Sequence, residues 1–179
     1  EDVPFLALTA TATPRVVEDI ISRLRMKHPK VCRTSFRRPN ITYILREVED
    51  KSTYVLRSLK KEQGSGIIYV SSRKRSKEAG ETLVANNIKA DLYHAGLPQE
   101  MRDRKQTSWS AGETRVIVAT NAFGMGIDKA DVRFVIHWDC PDSVEAYYQE
   151  SGRAGRDGKP SFSVLLWSQD EKRKLADSV

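Results

Sequence analysis

The sequence is poor in cysteine. Cys32 and Cys140 are the only two, and they lie far apart. That excludes a disulfide framework and any Cys/His spacing for zinc, and it points to a reducing, intracellular compartment rather than secretion. Histidine is equally sparse. His28, His94 and His137 accompany no nucleophile motif, so a Ser-His-Asp site has no support. No apolar run approaches the roughly 20 residues of a membrane span, and no signal peptide is visible. The nucleotide loops are missing too. A P-loop needs G-x-x-x-x-G-K-[ST]. The nearest stretch reads Gly158, Lys159, Pro160, with Arg153 where the first glycine belongs. A G-x-G-x-x-G loop fails at its third glycine, since Gly124 and Gly126 are followed by Lys129. The chain has no loop of its own to cradle a triphosphate.

What is present fits one domain, or one domain with an appendage. The 179 residues carry 30 Lys and Arg against 24 Asp and Glu, a net charge of +6. Such a balance suits a polyanionic partner. The 39% of hydrophobic residues fall in short blocks that can build a core. The chain opens on Glu1 rather than Met and enters at once into the apolar block Phe5 to Leu8. This predicts a piece cut from a longer protein.

Short apolar runs alternate with helical patterns. Strands are expected at "FLALT" (5–9), "ITYIL" (41–45), "GIIYV" (66–70), "KADLY" (89–93), "RVIVA" (115–119), "RFVIH" (133–137) and "SFSVLLW" (161–167). Thr13 and Pro14 mark a helix start, followed by Val16, Val17, Ile20, Ile21 and Leu24 at helical spacing. Further helices are expected over 52–64, from Ser71 or Ser72 to about Asn87, from Pro98 to about Trp109, after a cap at Asp142, and over the polar last dozen residues. Strands alternating with helices predict an α/β fold with a mostly parallel sheet flanked by helices. Ligands of such sheets gather at the carboxyl ends of the strands. That singles out the loops after Val70, Tyr93, Ala119 and His137. A basic, proline-containing stretch at 28–40 is the one candidate boundary. It divides the chain into 1–30, belonging to a preceding unit, and 31–179. Trp109 and Trp167 fall at core positions of a helix and a strand. Trp138 lies in a loop and is open to either packing or base stacking.

One block remains, "QESGRAGRDG" (149–158). Arg153 and Arg156 are three residues apart and share a face on a helix or turn. Guanidinium groups bind phosphate oxygens bidentately, and the glycines permit close backbone approach. The block resembles motif VI of superfamily 2 helicases in its RecQ form. The other loops agree in order. "LALTATAT" (6–13) is similar to motif III, "IIYVSSRK" (67–74) to motif IV, and "LYHAGL" (92–97) to the segment called IVa. "VIVATNAFGMGIDKADVRFVIH" (116–137) is similar to motif V.

The resemblance spans nearly the whole chain and implies a RecA-like, P-loop-NTPase-type lobe without its own P-loop. It would be the second motor lobe of an ATP-dependent 3′→5′ RecQ-type DNA helicase, preceded by the last strand and helix of the first lobe. It implies that Arg156 is the arginine finger. Arg153 would be a second phosphate contact or an anchor, and Gln149 a polar linker toward the nucleotide. Asp128 would be the motif V acid on the nucleotide side. Ser71, Ser72, Arg73, His94, Gly96, Thr120 and Gly126 would track the DNA backbone, and Thr9 and Thr11 would couple ATP state to DNA. The alternative reading of Ser71 or Ser72 is a helix cap only, and that of His94 the closing of a turn. ATP and Mg²⁺ are implied in the full-length protein, held mainly by the first lobe, with neither bound by this chain alone and no metal site in it. The implied partners are single-stranded and duplex DNA and the first lobe of the same chain, with no membrane. The implied setting is repair and recombination in a nucleus, or in the cytoplasm of a bacterium. The alternatives are a lobe of another superfamily 2 helicase acting on RNA, and a non-catalytic nucleic-acid or partner-binding module.

Overall fold

Thr13 and Pro14 begin a helix where the sequence places one. The structure is a computed structural model that describes residues 5–9, 12–33, 35, 37–123 and 127–176. The chain divides into two units, Glu1–Arg38 and Pro39–Val179. In the first, the Thr13 hydroxyl accepts from Val16 N–H at the start of α1 (Pro14–Arg23). No residue of α1 is buried, so its apolar stripe has no core beneath it in this unit. The strand expected at 5–9 is not formed. Phe5, Leu6 and Leu8 are exposed in irregular backbone. A strand needs neighbours to pair its backbone groups, and this segment pairs with none among the described residues.

The second unit holds the sheet. Its elements are β1 (Ile41–Glu47), α2 (Lys51–Lys61), β2 (Ser65–Tyr69), α3 (Arg73–Ala85), β3 (Ala90–Tyr93), α4 (Gln99–Ser110), β4 (Val116–Ala119), β5 (Val132–His137), α5 (Val144–Ser151), β6 (Ser161–Trp167) and α6 (Gln169–Ala176). Six described strands lie in the order β1-β6-β5-β2-β4-β3, and every pair is parallel. The central runs Ile67-Ile68 and Val116 to Ala119 are buried throughout, which is why they read as continuous apolar blocks.

Alternate residues of each strand feed two cores. On one face α2 and α3 bury Val55, Leu59 and Leu83 against Ile68, Val118, Ile136 and Leu166. On the other, Trp109 of α4 packs with Ile67, Ile117, Phe123 and Val135. Trp109 is fully buried, and its indole N–H donates to Gly66 O at 3.3 Å. It is a core residue, as its spacing predicts. Trp138 is half-buried against the first core, and Lys172 lies 5.9 Å from the Trp167 ring centre.

Polar contacts close the ends. Ser72, not Ser71, caps α3, its hydroxyl accepting from Arg75 N–H at 3.2 Å. Ser143 rather than Asp142 caps α5, accepting from Ala146 N–H at 3.1 Å. Lys51 donates to Trp138 O and to Glu171, each at 2.6 Å, and so pins α6 to the start of α2. No helix among the described residues is long and apolar enough to cross a membrane.

Candidate functional site

The arginine block forms the end of α5 and the turn that follows it. Gly155 adopts φ 57° and Gly158 φ 79°, conformations that favour glycine. Gly155 N–H donates to Val132 O at 2.8 Å and Asp157 N–H to Ala130 O at 3.1 Å. These bonds tie the turn to the amino end of β5. Arg133 donates to Asp157 Oδ1 at 2.6 Å and holds that carboxyl below its usual range. From the other side, the Asn40 amide donates to Gly155 O at 2.7 Å and Lys159 O at 3.0 Å.

Thus held, Arg156 meets Asp128. Its Nη1 donates to Ile127 O and to Asp128 Oδ1, both at 3.0 Å. Asp128 is 88% exposed and Arg156 37%. Among the described residues these are the two bonds that Arg156 donates, both from Nη1. That arrangement fits a phosphate, which takes a guanidinium edge bidentately. Arg153 is half-buried and reaches the Tyr69 hydroxyl. Burial pushes the Tyr69 phenol up, and the Arg153 charge opposes that. Gln149 is exposed on α5.

The loops at the carboxyl ends form a second group. Ser71 N–H donates to Asp139 Oδ2 at 2.7 Å, and Arg75 also pairs with Asp139. Thr120 N–H donates to Tyr93 O at 3.2 Å, and Leu97 N–H closes a turn onto His94 O at 3.1 Å. Arg73 packs over Gly96, where an added Cβ would lie 2.7 Å from Nη1. Ser71 and Thr120 border a cavity of about 130 Å³ that also touches His137, Asp139 and Glu150. Ser71, Ser72 and Arg73 are exposed. Gly126, and Thr11 of the motif III match, lie outside the described residues. Thr9 is exposed. No group of three or more His, Cys, Asp or Glu side chains is placed to hold a metal among the described residues.

The two groups occupy opposite ends of the sheet. Six residues of β5 separate them, on the order of 15–20 Å at the rise of a strand. The second group lies at the carboxyl ends, where the sequence rule looks, and the arginine turn does not. The sequence and the fold match known proteins. The family described as the helicase conserved C-terminal domain covers residues 49–158, more than half of the chain. The chain belongs to that family. This helicase lobe is 46% identical over 176 residues to the RecQ-like DNA helicase blm-1 of Caenorhabditis elegans, covering 97% of the chain and 18% of that protein. It is 44% identical over 165 residues to the ATP-dependent DNA helicase RecQ of Pasteurella multocida, covering 92% of the chain and 26% of that protein. Its sequence is thus of the RecQ type, and it spans about a quarter or less of these relatives. Among solved structures, a DEAD box protein from Methanococcus jannaschii superposes with a TM-score of 0.69 at 24% identity, over 93% of the lobe and 46% of that chain. That likeness shows the RecA-like fold.

Several side chains that build the helicase lobe's two ends were not legible as site residues. Asn40, Arg133 and Asp157 hold the arginine turn. His137 is fully buried, and its Nε2 lies 2.9 Å from Glu150 Oε2, joining the end of β5 to α5. Only Asp157 and Glu150 fall inside the arginine block. Arg133 and His137 lie in the motif V stretch without being singled out, and Asn40 lies in no motif, because the partners of all three lie elsewhere in the sequence.

Proposed function

We propose that this chain is the second motor lobe of an ATP-dependent 3′→5′ RecQ-type DNA helicase, with residues 1–30 the end of the first lobe. The observation that carries the reading is Arg156 on its clamped turn, 3.0 Å from Asp128, in a chain that has no P-loop of its own. A phosphate-seeking arginine without a phosphate cradle is half of a site. The first lobe would hold ATP, with Mg²⁺ there to neutralise charge on the phosphates. Arg156 would meet the γ-phosphate when the lobes close, and its fixed position would stabilise charge on the transferring group without reorganisation. Arg153 would anchor the turn through Tyr69 and add positive potential. Gln149 would extend a polar contact toward the nucleotide, and Asp128 would face it.

At the other end of the sheet, the backbone N–H groups and hydroxyls around Ser71, Ser72, His94, Gly96, Thr120 and Gly126, with the Arg73 charge, would follow the DNA backbone without reading sequence. The Ser72 hydroxyl is committed to its cap, so Ser72 would contribute mainly through main chain. Taken alone, the lobe would neither hydrolyse ATP nor unwind DNA. The full-length enzyme would act in repair and recombination, in a nucleus or in bacterial cytoplasm.

Substitution of Arg156 tests this. In the full-length protein, Arg156→Ala should cut DNA-stimulated ATP hydrolysis by about 10³-fold or more, the scale of an arginine finger. Affinity for single-stranded DNA should stay within a few-fold. Hydrolysis that survives while DNA binding weakens would instead identify a binding module.

A further inference from the structure

We infer that Asn40 is a positioning residue for Arg156. The inference rests on the motor reading above. Asn40 lies 116 positions before the arginine (156 − 40), at the entrance to β1. Three points of the arginine turn converge on it. Its two amide hydrogens go to Gly155 O at 2.7 Å and Lys159 O at 3.0 Å. Its own carbonyl accepts from Ser161 N–H at 2.9 Å. The two side-chain bonds therefore bracket Arg156 on either side. The orientation of the amide follows from its neighbours. Turned over, its oxygen would face two carbonyl oxygens.

The turn leaves no slack around this contact. A Cβ on Gly155 would stand 2.5 Å from Asn40 Nδ2 and 2.6 Å from Ser161 Oγ. Elsewhere the turn is held by Arg133 through Asp157 and by main-chain bonds to Ala130 and Val132. The main-chain bonds fix two N–H donors of the turn, and Arg133 fixes an acceptor, the Asp157 carboxylate. Asn40 holds the Gly155 carbonyl together with Gly158 N–H at 3.0 Å, and the Lys159 carbonyl together with the Ser161 hydroxyl at 3.1 Å, and the Gly155 carbonyl sets the plane of the peptide that leads into Arg156. The bond to Lys159 O is exposed, so water can take that place at modest cost to folding, while Gly155 is buried and its bond is part-buried. Water cannot replace the geometry. A misplacement of about 1 Å at a catalytic group costs roughly 10²-fold in rate.

The test compares Asn40→Asp, Asn40→Ala and Arg156→Ala in the full-length helicase. Asn40→Asp keeps the shape, removes both donors and turns an oxygen toward two carbonyls. Three quantities are measured: kcat and KM for ATP with single-stranded DNA, affinity for ADP with and without aluminium fluoride, and affinity for single-stranded DNA. The Asn40 variants should lower kcat by roughly 10- to 100-fold. They should lose the tighter binding of ADP with aluminium fluoride over ADP alone, as Arg156→Ala does. Affinities for ADP and for DNA should stay within about two-fold, which a loss of folding would not allow. In the double variant, Asn40→Asp should add nothing to Arg156→Ala. The outcomes separate the two claims. If Arg156→Ala itself leaves hydrolysis intact, the motor reading fails. If Arg156→Ala collapses hydrolysis while Asn40→Asp retains kcat and fluoride discrimination, Asn40 has no positioning role. A parallel fall in ADP and DNA affinity would also overturn it, by showing a general structural loss.

Discussion

Asp157 stands next to Arg156 in sequence, yet its charge is spent inside the turn. Arg133 donates to it at 2.6 Å and Lys159 N–H at 3.1 Å. The Arg133 hydrogen bond holds the carboxyl below its usual value. Asp50 is lowered in the same direction by Thr53 at the cap of α2. At Glu171, burial is the largest influence and pushes the carboxyl up, but the hydrogen bond and charge of Lys51 and the Ser168 hydrogen bonds together outweigh it, and the net shift is downward. Each group binds its proton more weakly folded than unfolded. Its contribution is therefore complete above the unfolded carboxyl value of about 4. It is lost as pH falls through the lower folded value. Urea midpoints taken from pH 7 down to pH 3 should fall on the acid side. Asp157→Asn should lower the midpoint most at neutral pH, and the gap to the parent should narrow toward pH 3. A gap that widened on acidification would show that Asp157 is not the ionised partner of Arg133.

The helix starts give the prediction at the next scale. Ser71 and Ser72 stand side by side and are both exposed, but only the Ser72 hydroxyl meets the open N–H groups of α3. Ser72→Ala should cost about 1 kcal/mol in thermal or urea unfolding, the usual loss for a cap. Ser71→Ala should leave stability within about 0.5 kcal/mol, as a surface change does. Equal losses from both would mean that the cap is shared. Sequence alone could not choose between these serines, because either can take the extended backbone of a cap. The same limit explains Asp142 and Ser143. Element existence was more legible. The β2 and β4 runs announced themselves as buried strands because both faces of a parallel sheet are covered. "FLALT" is likewise a short apolar run and forms no strand. A run of apolar residues states a propensity, while a strand also requires a neighbour. The arginine block stood out in the sequence by its residue types. Its position at the amino ends of the strands was not, since it depends on bonds from Gly155 to Val132 and from Asn40 to Gly155.

At the scale of the whole molecule, the proposed function assigns DNA to one end of the sheet and the nucleotide to the other, and salt dependence can tell them apart. Binding of single-stranded nucleic acid releases counterions, so log affinity falls with log salt by roughly 0.7 per phosphate neutralised. The chain has a net charge of +6, and Arg73 is exposed at the start of α3 beside Gly96. Removing that charge should weaken binding about equally for all sequences and reduce the salt slope by roughly 0.7. Ser71→Ala removes a hydroxyl and no charge, so it should weaken binding while leaving the slope unchanged. Arg156 is already paired with Asp128 at 3.0 Å and sits at the far end of β5. Arg156→Ala should change neither affinity nor slope beyond error. Fluorescence anisotropy with a labelled oligothymidine, titrated from about 50 to 200 mM salt, reads all three variants of this chain. The decisive comparison is between Arg73 and Arg156, two arginines of equal charge on one small lobe. A slope that responds equally to both would mean that nucleic acid reaches both ends of the sheet. The division between a DNA end and a nucleotide end would then be wrong.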